Sequence, residues 1–296
     1  MKIFLLFISL LWNSLAYSYS IENHIKISSL SIELIKHCQI PNAIKANEII
    51  QFSGREDSSP HHASIYTRLT NWHFYTHNQK KDDWILSPII RREFWKRWDF
   101  LIKELENSEE QSSELGPLTG AIAHYIQDVT NPAHVVPVYH GPGVKDKFDS
   151  FPILETDIRN AFSEHCSSLK EDQFSVLETL EESARKSFSA IQKSFQYQKN
   201  GQTYESSFSE AFWLRESDET GFFGEYGALG NNYGETEFKH PIWYRHQNYG
   251  PRKTIKRKSH QYKIDESVFK SFSLQQQMDA VVNTARLILF INKTNN

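Results

Sequence analysis

The stretch from Gly116 to Asp149, GPLTGAIAHYIQDVTNPAHVVPVYHGPGVKDKFD, constrains the chain most, because it asks an apolar helix to carry ionisable side chains. If Leu118 to Val129 is helical, His124 and Asp128 lie four apart on one face. That spacing lets both side chains reach a single ion. Pro132 then breaks the helix, and His134 just beyond can turn back toward the same cavity. The alternative is a solvated face carrying a histidine and an aspartate, with a stray loop histidine. Ala121, Ile122, Ala123, Tyr125 and Ile126 argue against it, since a helix this apolar is buried on most sides. A buried imidazole and carboxylate must both be satisfied, and a metal ion does so well.

The chain around this segment has 296 residues, enough for one large domain or two small ones. A formal net charge of −3 implies no global steering toward nucleic acid or an anionic membrane. Residues 1–18 read as a secretory signal peptide: Lys2, an apolar run from Ile3 to Trp12, then small residues at Ser14, Ala16 and Ser18. Cleavage after Ser18 would leave Tyr19 as the new N-terminus, and cleavage after Ala16 competes with it. An exported chain, secreted or periplasmic, is the expectation. Export would permit a disulfide between Cys38 and Cys166. Two buried thiols are the alternative, and neither cysteine has the spacing of a thiolate zinc site.

Helical periodicity recurs along the chain. Ile27, Leu30 and Leu34 predict a helix over 21–37 with His24 in its first turn. Residues 51–70 read as a polar loop, followed by the aromatic segment NWHFYTHN around His73. Ser87-Pro88 predicts a helix start, continued by a stripe of Ile90, Phe94, Trp98, Leu101 and Leu105. Further helices are expected over 153–169, over 172–196 and from a capping box at Ser273 to about Asn292. Residues 199–262, rich in Gly, Asn and aromatics, read as loops or short strands inserted in the C-terminal half. The fold class expected is all-α, a single multi-helix domain over 19–296 with its metal cluster in a cleft.

The candidate ligands are His24, Asp57, His73, His124, Asp128, His134 and Asp149, all nitrogen or carboxylate oxygen, a set that suits zinc. They exceed what one tetrahedral ion needs, which suggests two or three neighbouring metals with Asp128 bridging. Such clusters hydrolyse phosphoesters. A structural metal site and an all-α binding protein without metal are the other readings of the same residues.

His-Tyr-x-x-Asp-x-x-x-Pro-x-His at 124–134 resembles the signature of the zinc-dependent phospholipase C family, and its sister family of fungal-type zinc single-strand nucleases shares much of the pattern. The resemblance also takes in the signal peptide, an aromatic at the mature start with His24 five residues on, an acidic loop and His-Phe-Tyr at 73–75. It covers residues 19–150, and residues 160–296 carry no matching motif. It implies three zinc ions in an α-helical domain. One would take Asp57, His73, His124 and Asp128. Asp128 would bridge to a second, bound also by His24 and by the amine and carbonyl of Tyr19. The third would take His134 and a following His-x-x-x-Glu pair.

The chain departs from that pattern at two places. Tyr19 stands where the family has Trp. The last pair reads Lys145 to Asp149, in which Asp149 can replace the glutamate but Lys145 is no zinc ligand. His140 is the best substitute, with Asp146 next, and Glu56 rivals Asp57 for the acidic-loop position. The resemblance implies Asp57 and Asp128 as catalytic residues. It implies hydrolysis of a phospholipid phosphodiester, such as phosphatidylcholine to diacylglycerol and phosphocholine, at a membrane or micelle surface. A monomer with no stable nucleic-acid partner is expected. A single-strand nuclease and a zinc-stabilised exported binding protein are the alternatives. Phe222, Phe223, Tyr226, Tyr233, Trp243 and Tyr244 could dip into an interface or simply pack. The basic run Arg252, Lys253, Lys256, Arg257 and Lys258 could attract phosphates or simply be solvated.

Overall fold

Ser20 starts the first helix by accepting a hydrogen bond from the Asn23 backbone N–H, with Glu22 in the favourable first turn and Lys36 and His37 in the last. Its apolar face, Ile27, Leu30 and Leu34, is buried as the spacing predicts. In the computed structural model, the residues described are 20–41, 45–58, 71–72, 74–77, 91–92, 94–108, 112–136, 138, 146, 148–170, 175–199, 201–214, 224–226, 242–244, 253–255 and 265–294. The fold they form is mostly helical.

In chain order the elements are α1 (Ile21–His37), α2 (Ala46–Ser53), α3 (Arg55–Ser58), β1 (Asn71–Trp72), β2 (Arg91–Arg92), α4 (Phe94–Glu106), α5 (Leu115–Asp128) and α6 (Pro132–Val135). There follow α7 (Glu155–Asn160), α8 (Phe162–His165), a 3₁₀ turn (Ser168–Lys170) and α9 (Val176–Ala190). The antiparallel hairpin β3 (Ser194–Lys199) and β4 (Gln202–Ser207) leads to α10 (Phe208–Ala211). Then come β5 (Trp213–Leu214), β6 (Glu225–Tyr226), β7 (Ile242–Tyr244), β8 (Lys253–Ile255) and the long α11 (Glu266–Thr294). Among the described residues the strands form four separate two-stranded pairs, β1 with β2 parallel and the others antiparallel.

Helix α5 is the centre. Every residue from Thr119 to Asp128 is buried, because α1, α2, α4, α9 and α11 all pack on it. A helix apolar nearly all round is the kind that ends up enclosed in this way. On one side Gly120 lets α2 come close: a Cβ there would sit 2.6 Å from the Ile49 carbonyl oxygen and 2.8 Å from the Phe52 Cβ. On another side Phe94 and Trp98 of α4 meet Tyr125 edge-on. One apolar cluster runs from Ile27 to Ile291. Cys38, at the end of α1, forms a disulfide with Cys166, their Cα atoms 5.3 Å apart and 128 residues apart in sequence. Closing so long a loop stabilises the fold by about 3–5 kcal/mol through the unfolded state.

Several boundaries differ from the periodicity. Residues 51–53 and 55–58, expected in a loop, are helical: the first three end a helix from Ala46 whose Ile49 is buried, and the others form a short helix of their own. The helix expected over 153–169 is α7, α8 and a 3₁₀ turn. Helix α9 starts after Ser175, whose side chain accepts the Glu178 N–H, and ends at Ala190; Gln196 is in β3. Leu177, in its first turn, is exposed, while Leu180, Ala184 and Phe188 form its buried face. Ser273 is no cap but a buried residue inside α11, which begins at Glu266. The start at Ser87-Pro88 lies outside the described residues, as do most of the aromatic and basic positions of 199–262.

Candidate metal centre

Three helices deliver the centre. His24 sits on the first turn of α1, Asp57 on the short α3, and His124 and Asp128 one turn apart on α5. His24, His124 and Asp128 are wholly buried and form a group that could hold a metal ion, their ligand atoms within 4.8 Å of one another. His24 Nε2 lies 3.4 Å from Asp128 Oδ1, and His124 Nε2 lies 3.3 Å from Asp128 Oδ2. Asp57 stands further off, 3.9 Å from His24 and 3.8 Å from His124.

These separations are informative. A charged N–H···O⁻ hydrogen bond closes to about 2.7–2.9 Å. Two ligand atoms sharing a tetrahedral zinc, with bonds of about 2.0–2.2 Å, lie about 3.3 Å apart. The two short contacts match the second figure. In addition, Asp57 Oδ2 is buried with no hydrogen-bond partner among the described residues. The group of His24, His124 and Asp128 therefore could hold a metal cation.

The outer nitrogens of both rings are held. His124 Nδ1 meets the Ser53 carbonyl at 2.8 Å, a contact the close approach of α2 at Gly120 makes possible. That carbonyl can only accept, so Nδ1 carries a proton, and Nε2 is the nitrogen turned toward Asp128 that could ligate a metal. His24 Nδ1 meets Gln127 Oε1 at 2.6 Å. The carboxylates set the charge of this group. Burial works against a charged His124, but Asp128 and then Asp57 outweigh it and push its pKa up to about 10. Burial likewise works against the Asp128 carboxylate, yet His124 and His134 hold it well below the usual range.

His134 follows the break at Pro132. Asn131 caps α6 by accepting the Ala133 N–H at 3.0 Å, and His134 Nδ1 comes to 3.9 Å from Asp128 Oδ2. The segment 74–76 lies beside it, with the Tyr75 N–H donating to the His134 carbonyl at 3.0 Å and Phe74 edge-on to its ring. His73, Tyr19 and His140 lie outside the described residues.

Asp149 is tied to both ends of this assembly. Its carboxylate accepts from Asn131 Nδ2. Its backbone carbonyl accepts from the Ser20 N–H at 3.4 Å and from Asn23 Nδ2 at 2.8 Å. Burial, and then the neighbouring Asp146, push its pKa well above the carboxylate range. Asp146 is used differently: Oδ1 accepts the Phe148 N–H at 2.7 Å and Oδ2 accepts Trp213 Nε1 at 3.1 Å. Both oxygens thus brace the loop, which argues against Asp146 as the substitute ligand. Glu56, the rival of Asp57, is likewise spoken for. Arg97 grips it with two hydrogen bonds, of 3.0 and 2.7 Å, so its neighbour Asp57 is the one that faces the histidines.

Sequence reasoning did not find Ser53, Gln127 or Arg97. Only Gln127 carried a signal: a buried amide one residue before Asp128 must spend its hydrogen bonds somewhere. No protein-family model matches the chain, and neither a curated protein nor a solved structure matches it.

Proposed function

We propose that the protein is an exported zinc-dependent phosphodiester hydrolase acting on phospholipids by the phospholipase C reaction. The observation that carries this reading is Asp128, whose two oxygens each face a different imidazole at zinc-ligand separation. A carboxylate so placed suits a bridge between two cations. His24, His124, Asp128 and Asp57 would hold the first ions, with His134 and Asp149 at the margin. Zinc bound there supplies Lewis-acid polarisation of a phosphodiester and a water acidified toward neutral pH. The chain's own part is to hold the imidazoles in the ligating tautomer, to keep Asp128 ionised, and to place Asp57 where it can orient or deprotonate a water.

Two further observations support the reading. The Cys38–Cys166 disulfide accords with export to an oxidising compartment. Ser20, next to the expected new N-terminus, is bonded to Asp149 and one helical turn from His24. The phospholipid substrate itself rests on the resemblance of His124 to His134 to the phospholipase signature.

A second reading is favoured by burial: His24, His124 and Asp128 are each 0 % exposed. An ion there would tie α1, α3 and α5 together without turnover. The test is the zinc content of the processed protein, measured alongside its activity on phosphatidylcholine and on single-stranded nucleic acid. Two or more zinc ions with release of diacylglycerol support the proposal. Turnover of nucleic acid alone would make the protein a nuclease. Stoichiometric zinc with no hydrolysis of either would leave the structural role.

A further inference from the structure

Gln127 stands immediately before Asp128 and is buried completely. Its amide joins three helices. Nε2 donates to Ser28 Oγ of α1 at 2.9 Å and to Thr284 Oγ1 of α11 at 3.2 Å, while Oε1 meets His24 Nδ1 at 2.6 Å. With both amide hydrogens directed at hydroxyl oxygens, the amide faces His24 with its acceptor. His24 must then place its proton on Nδ1. The opposite edge of the ring faces Asp128 and Asp57 at 3.4 and 3.9 Å, and two carboxylates attract a proton to Nε2. A proton there would occupy the atom a metal needs.

We infer that Gln127 is a positioning residue for metal binding: its carbonyl oxygen holds the His24 proton on Nδ1 and keeps Nε2 as the ligating atom. This rests on the metal-site reading above. The two histidines are thereby locked by different means. His124 relies on a backbone carbonyl that no substitution removes. His24 relies on one side chain, itself oriented by two hydroxyls, Ser28 of α1 and Thr284 of α11. The metal centre is thus sensitive to α11 at Thr284, 157 residues away in sequence from Gln127.

The experiment compares wild type with Gln127→Met, which keeps bulk and loses the acceptor, and Gln127→Glu, which keeps an acceptor. Two readouts are taken. Long-range proton–nitrogen correlation on the metal-free protein, at a pH where the ring is neutral, reports the His24 tautomer. Competition with a chromophoric chelator reports affinity for zinc ions. Wild type and Gln127→Glu should show the Nδ1–H tautomer and zinc affinities within a few-fold of each other. Gln127→Met should shift toward Nε2–H and bind zinc about 10- to 100-fold more weakly, the usual loss for such an outer partner. Should Gln127→Met not fold, the pair Ser28→Ala with Thr284→Val frees the amide to turn and should move the tautomer the same way. A folded Gln127→Met, or that pair, with the wild-type tautomer and wild-type zinc affinity would overturn the inference. Wild type that binds no zinc would sink the metal reading instead, while the tautomer measurement still decides the role of Gln127.

Discussion

The rings of His24 and His124 stack with centroids 4.2 Å apart and planes 30° from parallel, and each turns Nε2 toward its own oxygen of Asp128. This group could hold a metal ion, and the Asp128 carboxylate would supply the negative charge that lets a cation bind in a buried site. Asp128→Asn keeps the shape and removes that charge. The variant should lose at least one zinc and reduce turnover of phosphatidylcholine by orders of magnitude, with its helical circular dichroism largely retained. Wild-type turnover at saturating zinc in Asp128→Asn would end the bridged-metal mechanism.

A proton and a bound metal would compete for His124. Its pKa is pushed up to about 10 by Asp128 and Asp57 against the opposing effect of burial. In the metal-free protein this contributes stability that is fully present below the unfolded value of about 6.5 and is lost as pH rises toward 10. Because a ligating histidine must be neutral, zinc binding should release this proton. Calorimetry in buffers of differing ionisation enthalpy should detect about one proton released per His124 engaged at pH 7. Apparent affinity should rise about tenfold per pH unit from that proton alone. A binding constant flat between pH 6 and 8 would remove His124 from the ligand set.

Adjacent acids in α3 should separate cleanly by variant. Glu56 is bound through two hydrogen bonds to Arg97, with both side chains mostly buried, whereas Asp57 faces the histidines. Glu56→Gln should lower stability by about 1–3 kcal/mol, less than for a fully enclosed pair because both ends keep some water, and keep the full zinc content. Asp57→Asn should retain most of the stability of the chelated protein and weaken zinc binding. Thermal unfolding with and without chelator, paired with metal analysis, distinguishes the two. Loss of zinc in Glu56→Gln with retention in Asp57→Asn would reverse the assignment.

Gly120 sets the distance on which His124 depends. A methyl group there would meet the Ile49 carbonyl oxygen at 2.6 Å, and backbone does not yield as a side-chain end would. Gly120→Ala should destabilise the protein by about 1–3 kcal/mol, as overpacked sites do. By moving Ser53 away from His124 it should also weaken zinc binding more than an equally destabilising change elsewhere, such as Ile158→Val in series with Ile158→Ala. Equal effects on zinc from Gly120→Ala and from the matched core variant would show that the Ser53 contact is dispensable.

The sequence made the centre of this fold legible because the signals there are local. His124 and Asp128 share a helix, Ile27, Leu30 and Leu34 mark the helix that carries His24, and Pro132 breaks the chain before His134. The parts that were not legible depend on partners distant in sequence. Arg97 claims Glu56 from 41 residues away, and Ser53 meets His124 across 71. The end of α2 and the whole of α3 fall in the stretch 51–70 that reads as loop, because its Gly, Ser, Pro and charged residues carry no helical apolar period. The break of 153–169 into short helices and the early start of α11 at Glu266 have the same origin. Periodicity reports which face is apolar, while the ends of elements are decided by what they pack against.

Asp149 offers a test whose sign changes with metal. Burial and Asp146 raise its pKa well above the ordinary carboxylate range, so the folded metal-free protein binds this proton more tightly than the unfolded chain. The stability it contributes is fully present below the unfolded pKa of about 3.9 and is lost as pH rises toward the folded value. Asp149→Asn removes that titration and leaves an amide oxygen to accept from Asn131 Nδ2. With chelator present, the variant should therefore melt above wild type at pH 7, and the gap should close as pH falls to 4. With zinc in excess the order should invert, since a carboxylate that ligates loses its proton to the metal and the amide is a poorer ligand. Melting curves at pH 4, 5.5 and 7, with and without zinc, check both halves. A gap that persists unchanged at pH 4 would show that the substitution acts through packing rather than charge. An order that stays the same with zinc would remove Asp149 from the metal centre.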